Sequence, residues 1–397
     1  TLQTVSVFLG RGDGAFRHLG DHAVPGAPRS VEALDLEGDG RADLVVGLSL
    51  SGVLPLRGKG DGRFETGALD PTFADAECIA AADLDRDGLQ DLVAYCGKNG
   101  GSVGINLGDG TFVWSHAFPE AGAVAVGDLD GDGELDLAAV SGAIGGELLV
   151  HPGTGDGSFL NPISFGSIDA VPNFLLAADL DGDGRQDLIA TGPSITVFWG
   201  RPAERFLTTA ARVSGFHSPG KDLAVADLDR DGAPDLLIAR GSEPGIDVYL
   251  QPGRSSPAQP SFTIATDGAY SSLEALDLDG DGVPDIVGVD PRLGVARAAL
   301  LDGAGVIREV AFPAGAVPQR IKAGSLDGDG RPDLAVASSG PNQLVVFLGQ
   351  GGGAFGQGRA AAVGEIPRDL ALGDLDRDGL GDLAVIEHSD RIGAPFI

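Results

Sequence analysis

One nine-residue phrase, Asp-x-Asp-x-Asp-Gly-x-x-Asp, recurs eight times in the 397-residue chain and limits its possible folds more than any other feature. The copies begin at positions 35, 83, 128, 179, 227, 277, 325 and 374, at intervals between 45 and 51 residues. Such a period is typical of one four-stranded blade of a β-propeller and is too long for most solenoid coils. The repeat therefore predicts a ring of eight similar units.

Short apolar runs around each phrase predict the strands of the unit. In the third copy, residues 123–126 precede the loop and residues 137–140 follow it. A third run comes next, as at 345–348, and leads into a Gly-rich turn that ends in Phe and starts a fourth strand. The chain is therefore predicted to be all-β, an eight-bladed β-propeller with four antiparallel strands per blade and a single domain over 1–397.

The two ends of the chain complete each other. Residues 4–9, near the start of the sequence, have the pattern of a third strand, and residues 383–387, near its end, have the pattern of a second strand. One blade is therefore predicted to combine strands from both termini. A ring closed in this way has no open strand edge that would invite aggregation. The predicted blades are 29–75, 76–119, 120–170, 171–218, 219–269, 270–317, 318–367, and 368–397 together with 1–28.

The acidic residues are concentrated in the repeated phrase. The formal net charge is −31, and positions one, three, five and nine of the loops contain 31 of the 58 acids, four in each of eight copies less one at Ser325. The other 27 acids equal the 27 Lys and Arg in number, so the net charge corresponds to the acids at these ligand positions. The sequence has no stripe of basic residues that could bind phosphates, which disfavours a nucleic-acid partner. It also has no run of eighteen apolar residues, so it predicts no membrane span.

Calcium is the ion that the phrase suits best. It takes about six to eight oxygens, and each loop offers carboxylates at positions one, three, five and nine and a carbonyl at seven, with a turn-forming Gly at six. Two carboxylates about 4 Å apart repel by roughly 4 kcal/mol at an effective dielectric near 20, which a divalent ion reverses. The loops contain no His or Cys, which disfavours zinc and copper. We therefore expect seven or eight calcium ions per chain.

The predicted metal ligands are the side chains at positions one, three, five and nine and the carbonyl at position seven of every copy. Glu37 and Ser325 depart from the phrase, so the first and seventh loops are expected to bind more weakly. In chain order the predicted ligands are Asp35, Glu37, Asp39, Arg41, Asp43; Asp83, Asp85, Asp87, Leu89, Asp91; Asp128, Asp130, Asp132, Glu134, Asp136; Asp179, Asp181, Asp183, Arg185, Asp187; Asp227, Asp229, Asp231, Ala233, Asp235; Asp277, Asp279, Asp281, Val283, Asp285; Ser325, Asp327, Asp329, Arg331, Asp333; and Asp374, Asp376, Asp378, Leu380, Asp382.

The Asp phrase, together with turns such as GRGDGAF, GKGDGRF and GTGDGSF, resembles the FG-GAP or VCBS repeats. These repeats occur in integrin α-subunit headpieces and in many secreted bacterial proteins. The resemblance covers essentially the whole chain and implies a calcium-binding propeller that is secreted or displayed at the cell surface. It leaves the activity open, because such propellers serve adhesion, sugar binding and, when elaborated, catalysis.

Strand direction separates a regular face from an irregular one. The Asp loops and Gly turns share one face, and the opposite face has segments of differing length at 98–101, 216–221, 242–245 and 291–294. Irregular loops on a regular scaffold usually determine specificity, so we predict a protein or polysaccharide partner there. The distinct groups predicted on that face are Lys98, Arg240, Glu243, Arg292 and His217.

We predict a binding or adhesion module without catalytic residues. The six His are scattered, and neither His-Glu-x-x-His nor Gly-x-Ser-x-Gly occurs. Two alternatives stay open. One is a calcium-dependent, lyase-like enzyme that cleaves polysaccharides, since a carboxylate pair from two blades would escape sequence inspection. The other is a structural spacer in a surface assembly.

Three smaller features carry predictions of their own. The Phe that ends each Gly turn is predicted to pack between blades, with Ile307 filling that volume in the sixth. Arg11, Gly12 and Asp13 spell the tripeptide that integrins recognise, but equivalent turns read GKGDG and GTGDG, which favours an ordinary turn. Cys78 and Cys96 flank the second loop at positions predicted to be directly opposite, within disulfide range, with two buried free thiols as the alternative.

Overall fold

The computed structural model describes residues 3–49, 51–70, 76, 78–96, 100–118, 121–141, 146–168, 174–191, 195–200, 208–213, 222–240, 244–250, 260–264, 270–302 and 305–387. Within these ranges the chain contains β-strands and no helix. The strands form eight four-stranded antiparallel sheets arranged as a ring. The prediction of an eight-bladed β-propeller is confirmed.

Blades 1 to 7 each use their strands in sequence order from one edge to the other. Blades 1 to 4 contain β3 (Ala27–Leu34), β4 (Asp43–Ser49), β5 (Gly52–Gly58) and β6 (Phe64–Thr66); β7 (Cys78–Ala82), β8 (Asp91–Cys96), β9 (Gly100–Asn106) and β10 (Phe112–Phe118); β11 (Ala121–Gly127), β12 (Asp136–Ser141), β13 (Glu147–His151) and β14 (Ile163–Ser167); and β15 (Phe174–Ala178), β16 (Asp187–Thr191), β17 (Ile195–Trp199) and β18 (Thr208–Val213).

The other half of the ring follows the same plan. Blades 5 to 7 contain β19 (Asp222–Ala226), β20 (Asp235–Ala239), β21 (Ile246–Tyr249) and β22 (Phe262–Ile264); β23 (Ser272–Leu276), β24 (Asp285–Asp290), β25 (Val295–Leu301) and β26 (Val306–Pro313); and β27 (Pro318–Gly324), β28 (Asp333–Ser338), β29 (Gln343–Phe347) and β32 (Arg359–Ala362), with a small hairpin of β30 (Gly349–Gly351) and β31 (Ala354–Phe355). Blade 8 pairs β33 (Pro367–Gly373) and β34 (Asp382–Glu387) with β1 (Gln3–Gly10) and β2 (Phe16–Val24).

The position of a strand in its blade explains its composition. The second and third strands are covered by the neighbouring blade on either side, so β4, β20 and β28 are apolar and almost wholly buried. The fourth strand forms the rim, and β26 is mostly exposed. First strands of neighbouring blades contact one another, as β3 contacts β33, so the first strands surround the centre of the ring.

The hydrophobic core lies between blades rather than within them. One cluster joins Val46 and Leu54 of blade 1 to Val5 and Ile386 of blade 8. The Phe residues that end the Gly turns pack against such clusters, as predicted, at Phe16, Phe64, Phe112, Phe159, Phe262 and Phe355. The expectation for blade 6 is wrong, because Ile307 lies on the rim with 58% of its surface exposed.

The ring closes through the blade that contains both chain ends. β1 pairs with β34 in an antiparallel register that sets Thr4 opposite Glu387. The buried carboxylate of Glu387 accepts hydrogen bonds from Thr4 Oγ1 at 3.0 Å and from Gly364 N at 2.6 Å, and Ser6 Oγ lies 2.8 Å from Oε1. The predicted closure is therefore confirmed, and Glu387 anchors the N-terminal strand.

The predicted pairing of the two cysteines is wrong in its register. Cys78 pairs with Tyr95, and Ala82 pairs with Asp91, so Cys96 lies one position away from direct opposition. Adjacent residues of a strand point to opposite faces of a sheet, so the geometric argument for a disulfide no longer holds. The side chains of Cys78 and Cys96 lie outside the described part of the chain.

Candidate functional site

The Asp loop joins the first and second strands of every blade. Its ninth residue begins the second strand, as Asp136 begins β12. This Asp is 0–1% exposed in all eight copies, whereas the carboxylates at earlier positions are partly or fully exposed. The loop therefore has a buried base and an open rim.

The buried Asp ties the loop to the third strand. In blade 3, Asp136 Oδ2 accepts the N–H of Leu129 at 2.9 Å, and Oδ1 accepts the N–H of Gly153, just beyond β13, at 2.9 Å. The same two bonds form at Asp43, Asp91, Asp187, Asp285, Asp333 and Asp382. The ninth Asp was predicted only as a metal ligand, and its structural role was missed.

The sequence contains a signal for this role that the predicted phrase treated as variable. Position two is Leu in every copy, its N–H is the donor to the ninth Asp, and its side chain is at most 4% exposed. These residues are Leu36, Leu84, Leu129, Leu180, Leu228, Leu278, Leu326 and Leu375. A buried side chain and a buried N–H at one position fix the start of the loop.

The structure brings three of the four predicted carboxylates of a loop together. In at least five loops, one oxygen from each of positions one, three and nine lies within 4.8 Å of the others. These groups are Asp83, Asp85 and Asp91; Asp128, Asp130 and Asp136; Asp179, Asp181 and Asp187; Asp227, Asp229 and Asp235; and Asp277, Asp279 and Asp285. The fifth-position Asp instead accepts the N–H of residue seven, as Asp87 Oδ1 accepts from Leu89 N at 2.8 Å.

Crowding and burial disfavour the charged form of these carboxylates. Burial and, to a smaller extent, neighbouring loop carboxylates raise the pKa of Asp136 and Asp187 to about 7, against the lowering effect of their backbone hydrogen bonds. The pKa of Asp285 and Asp382 rises to about 6 for the same reasons. Each loop therefore concentrates carboxylates whose mutual repulsion a divalent cation would offset.

The residues present fit a hard divalent cation. Asp83 Oδ1, at position one of loop 2, and Asp376 Oδ1, at position three of loop 8, are buried carboxylate oxygens that receive no hydrogen bond from the described residues. A buried charged oxygen without a partner is strongly destabilising unless a cation binds it. All side chains in the five clusters are oxygen donors, which suits calcium rather than zinc.

Loops 1 and 7 differ as the sequence suggested. In loop 1, Arg41 pairs with Asp39, and Arg57 Nε lies 3.2 Å from Glu37 Oε1, so protein cations already neutralise two of the acids. Elsewhere the first Asp accepts the N–H of residue six, as Asp374 does from Gly379 at 3.0 Å. Ser325 occupies that place in loop 7 and brings no carboxylate.

The Arg-Gly-Asp tripeptide forms an ordinary turn. Asp13 Oδ1 accepts the N–H of Ala15 at 2.9 Å, and the Asp residues of the equivalent turns accept the N–H two residues later in the same way. Asp13 also lies 3.5 Å from Arg359 of blade 7. The side chain that an integrin would need is engaged within the propeller.

The face opposite the Asp loops, the connection face, is described mainly in blades 6, 7, 8 and 1. Arg292 and Leu293 are exposed there, and Arg292 forms no ion pair within the described residues. Arg240 does not offer a free charge, because its guanidinium donates to both carboxylate oxygens of Asp247 at 2.7–3.0 Å. The other predicted groups, Lys98, Glu243 and His217, lie outside the described residues.

Four segments of the connection face form a continuous surface, which we name the connection ridge: residues 291–294, 314–317, 339–342 and 363–366. Gly294 O accepts the N–H of Ala314 at 3.0 Å, and Ala316 O accepts the N–H of Gly340 at 2.8 Å. The last two segments are joined by Ile366 N, which donates to Asn342 Oδ1 at 3.0 Å. The ridge thus spans blades 6 to 8.

The connection ridge is both apolar and strained. Leu293 is 50% exposed and Val317 is 41% exposed. Val317 and Ile366 have φ values of 57° and 50°, which β-branched residues rarely adopt, and each precedes a proline, which normally favours extended backbone. Strain of this kind is often retained at functional sites.

The first strands give the central channel two unlike sides. In blades 6 to 8, Lys322 Nζ lies 3.1 Å from Glu274 Oε1, and Arg320 Nε donates to Asp369 Oδ1 at 3.0 Å. The first strands of blades 2 to 4 read CIAAA, AGAVAVG and FLLAA and carry no charge. Charged residues therefore occupy only part of the circumference.

No helix in the described residues is long and apolar enough to cross a membrane.

Comparisons with curated proteins give similarity over part of the chain. A stretch of 138 residues is 30% identical to integrin alpha-4 of Xenopus laevis and covers 28% of this chain but 13% of that protein. A stretch of 146 residues is 30% identical to phosphatidylinositol-glycan-specific phospholipase D of Mus musculus, again 28% of this chain and 17% of the relative. The alignments therefore span a small share of either relative's length.

Solved structures share the fold at low sequence identity. The biofilm matrix protein Bap1 of V. cholerae aligns with a TM-score of 0.53 and 15% identity, over 98% of this chain and 92% of that one. Sqt1 of Chaetomium thermophilum, solved bound to the N-terminus of the ribosomal protein L10, aligns with a TM-score of 0.54 and 13% identity, over 94% and 87%.

The family is shown by matches at the repeats themselves. The model of the FG-GAP-like repeat matches residues 83–139, 128–190, 179–238, 227–288 and 326–385, which together make up more than half of the chain. Each matched segment begins at the first or second residue of an Asp loop and ends within the second strand of a blade. With the eight-bladed ring and the repeated Asp clusters, these matches establish that the chain belongs to the family of FG-GAP-like repeat proteins.

Proposed function

We propose that the chain is a calcium-stabilised binding module whose partner, a protein, binds the connection face. The observation that carries the proposal is the difference between a face that repeats in every blade and a face that does not. Eight nearly identical Asp loops occupy one face, whereas exposed apolar residues on strained backbone occupy the other. Identical loops offer no unique recognition surface, so specificity belongs to the irregular face.

Calcium supports this function by holding the blades in shape. The Asp clusters have the composition of calcium sites, and the described part of the chain offers no donor to the buried oxygens of Asp83 and Asp376. Calcium modules outside cells bind with dissociation constants of about 10⁻⁴ to 10⁻³ M, which matches the high calcium level there. We therefore place the protein outside the cell or at the cell surface, in an adhesive or docking role.

The choice of a protein partner rests on the chemistry of the connection ridge. Leu293 and Val317 offer apolar contact area beside the cation Arg292, a combination that is common at the centre of protein interfaces. The described part of this surface shows no row of stacked aromatic residues of the kind that would bind sugar rings. Sqt1, a propeller of similar fold, was solved with a segment of a protein partner.

A peptide-display experiment tests the proposal. Peptides selected on the wild-type protein in calcium are expected to lose binding to the double variant Arg292→Glu with Leu293→Ser. The matched control is Val306→Ser with Ile307→Ser, which removes two exposed apolar residues from the rim of the same blade. Binding that survives the first pair and is lost in the second would contradict the proposal.

A second arm separates support by calcium from direct bridging by calcium. Ser325→Asp completes the carboxylates of loop 7 and is expected to strengthen calcium binding without changing peptide binding. Loss of peptide binding in this variant would instead indicate that an ion in loop 7 contacts the partner. Incubation with polyuronides, with chain length as the readout, is expected to show no cleavage.

A further inference from the structure

Position four of the Asp loop adopts a left-handed backbone in every copy, with φ between 60° and 85°. Glycine fills this position in five loops, as expected from its conformational freedom. The other three loops place an arginine there, Arg86, Arg230 and Arg377, with φ of 64°, 60° and 66°. A non-glycine residue is disfavoured in this conformation, so a compensating interaction is expected.

The arginines reach the Asp loop of the next blade. The guanidinium of Arg86 in loop 2 donates to the carbonyl of Gly133 in loop 3, and its Nη1 lies 2.7 Å from Glu134 Oε1. The guanidinium of Arg230 in loop 5 donates to the carbonyl of Asp281 in loop 6, with the Asp281 carboxylate 3.3 Å away. Both bridges therefore join position four of one loop to positions five to seven of the next.

Arg377 likewise extends from loop 8 to loop 1, across the junction that closes the ring. A Cβ atom added to Gly40, the sixth residue of loop 1, would lie 3.1 Å from Arg377 Nη2. The corresponding distances are 3.4 Å from Gly133 to Arg86 and 3.2 Å from Gly282 to Arg230. All three guanidinium groups thus lie beside the sixth residue of the following loop.

The remaining five loops provide an internal control. Where the preceding loop has glycine at position four, a Cβ added to the sixth residue would meet no atom of the described residues within 4 Å. This holds for Gly88, Gly184, Gly232, Gly330 and Gly379, without exception. The eight junctions between loops therefore form two classes: three in which an arginine of the preceding loop reaches the sixth residue, and five, here called open, in which no described side chain does.

We propose that Arg86, Arg230 and Arg377 are positioning residues that keep loops 3, 6 and 1 ordered without calcium, whereas the five other loops depend more strongly on the ion for their order. A guanidinium donates hydrogen bonds and carries positive charge, so it opposes carboxylate repulsion and fixes the backbone of the loop it contacts. The three bridged loops lose most of their conformational entropy on folding, whereas the open loops lose more of it when calcium binds. The inference rests on the proposed calcium binding only for the second of these statements.

Hydrogen–deuterium exchange of the chelated protein tests the inference directly. Backbone amides of loop 6 are expected to exchange about tenfold or more slowly than those of loop 5, since a charge-assisted hydrogen bond shifts a local opening equilibrium by that much. These two loops are well matched, because both have four Asp at positions one, three, five and nine and a small apolar residue at seven. The variant Arg230→Gly should raise the exchange rate of loop 6 to that of loop 5.

Reciprocal variants serve as controls. Arg86→Gly should release loop 3 and leave loop 6 protected, whereas Arg230→Gly should do the opposite. Both substitutions introduce the residue that five loops already contain, so the fold is retained. Arg331→Gly removes an arginine whose carboxylate partner, Asp329 at 3.4 Å, lies in its own loop, and should leave loops 3 and 6 unchanged.

Calcium addition separates this inference from the proposed calcium binding. With calcium, the five open loops are expected to become as protected as the bridged ones. If calcium changes nothing, the calcium proposal fails while the comparison in chelated protein still decides the role of the arginines. Equal exchange in loops 5 and 6 of the chelated wild type, or no effect of Arg230→Gly on loop 6, would overturn the inference.

Discussion

The two faces of this propeller were built under different constraints. On the Asp-loop face, the same arrangement recurs around the ring, with a buried ninth Asp, a buried Leu at position two and a cluster of partly exposed carboxylates. On the connection face, the described segments of blades 6 to 8 differ from one another and expose Leu293 and Val317. Repetition indicates a task performed equally in every blade, and irregularity indicates a task performed once.

The largest expected effect concerns the Asp-loop face as a whole. Removing calcium should lower the melting temperature by more than about 10 °C, because several sites that bind only the native state each add stability by mass action. Differential scanning calorimetry with and without calcium measures the shift, and metal analysis should give seven or eight ions per chain. An unchanged melting curve after verified metal removal would show that the loops are structural turns alone.

The next prediction separates the two roles within a single loop. In chelated protein, Asp136→Ala should lower the free energy of unfolding by about 2 to 5 kcal/mol, because two buried N–H groups lose their acceptor. Asp132→Ala, at the exposed fifth position, should lower it by about 0.5 to 1.5 kcal/mol, since it removes one exposed hydrogen bond. Denaturant unfolding measures both values. Equal losses would mean that burial of the ninth Asp does not matter.

The effect of pH should have opposite signs in the two calcium states. Burial raises the pKa of Asp136, Asp187, Asp285 and Asp382 in the ion-free fold, so the native chain binds protons more tightly than the unfolded chain. The stability of metal-stripped protein should therefore increase as pH falls from about 8 to about 6, through the raised values. Calcium-loaded protein should lose stability over this range, because protons compete for the ligands. Melting curves that fall in parallel would contradict this prediction.

The sequence predicted features that depend on repetition and missed those that depend on contacts across the fold. Eight loops at blade spacing were enough to predict the ring and its closure by both chain ends. The pairing of Cys78 was missed by one residue, because the ninth Asp already belongs to the β-ladder and Ala82 pairs with Asp91 rather than Leu92. No spacing rule reveals this, since it follows from the side-chain hydrogen bonds of Asp91 within the fold.

Contacts between blades escaped prediction for a related reason. Arg86 looks like a variable residue inside its own loop, and only the ring places it against Glu134. Arg240 was predicted to be available to a partner, whereas Asp247 on the adjacent strand engages it. Metal ligation was proposed from the phrase alone, and the structure supports it at positions one, three and nine by bringing those oxygens together.

The smallest effect on stability, and the sharpest contrast with the Asp-loop face, is expected at the connection ridge. Val317→Gly removes an exposed side chain and relieves a left-handed conformation that a β-branched residue disfavours. Glycine also increases the conformational entropy of the unfolded chain, which offsets part of that gain. The net change in the free energy of unfolding should therefore stay within about 1 kcal/mol.

Binding should respond differently to the same substitution. If the strain at Val317 persists because the side chain contacts a partner, Val317→Gly should weaken the binding of selected peptides at least several-fold while the melting temperature hardly moves. Gly315→Ala supplies the control, because it lies in the same segment at a φ of 86° but adds strain instead of relieving it. It should lower stability measurably. A Val317→Gly variant that binds normally would show that the strained backbone belongs to the connection between blades, and that recognition lies elsewhere on this face.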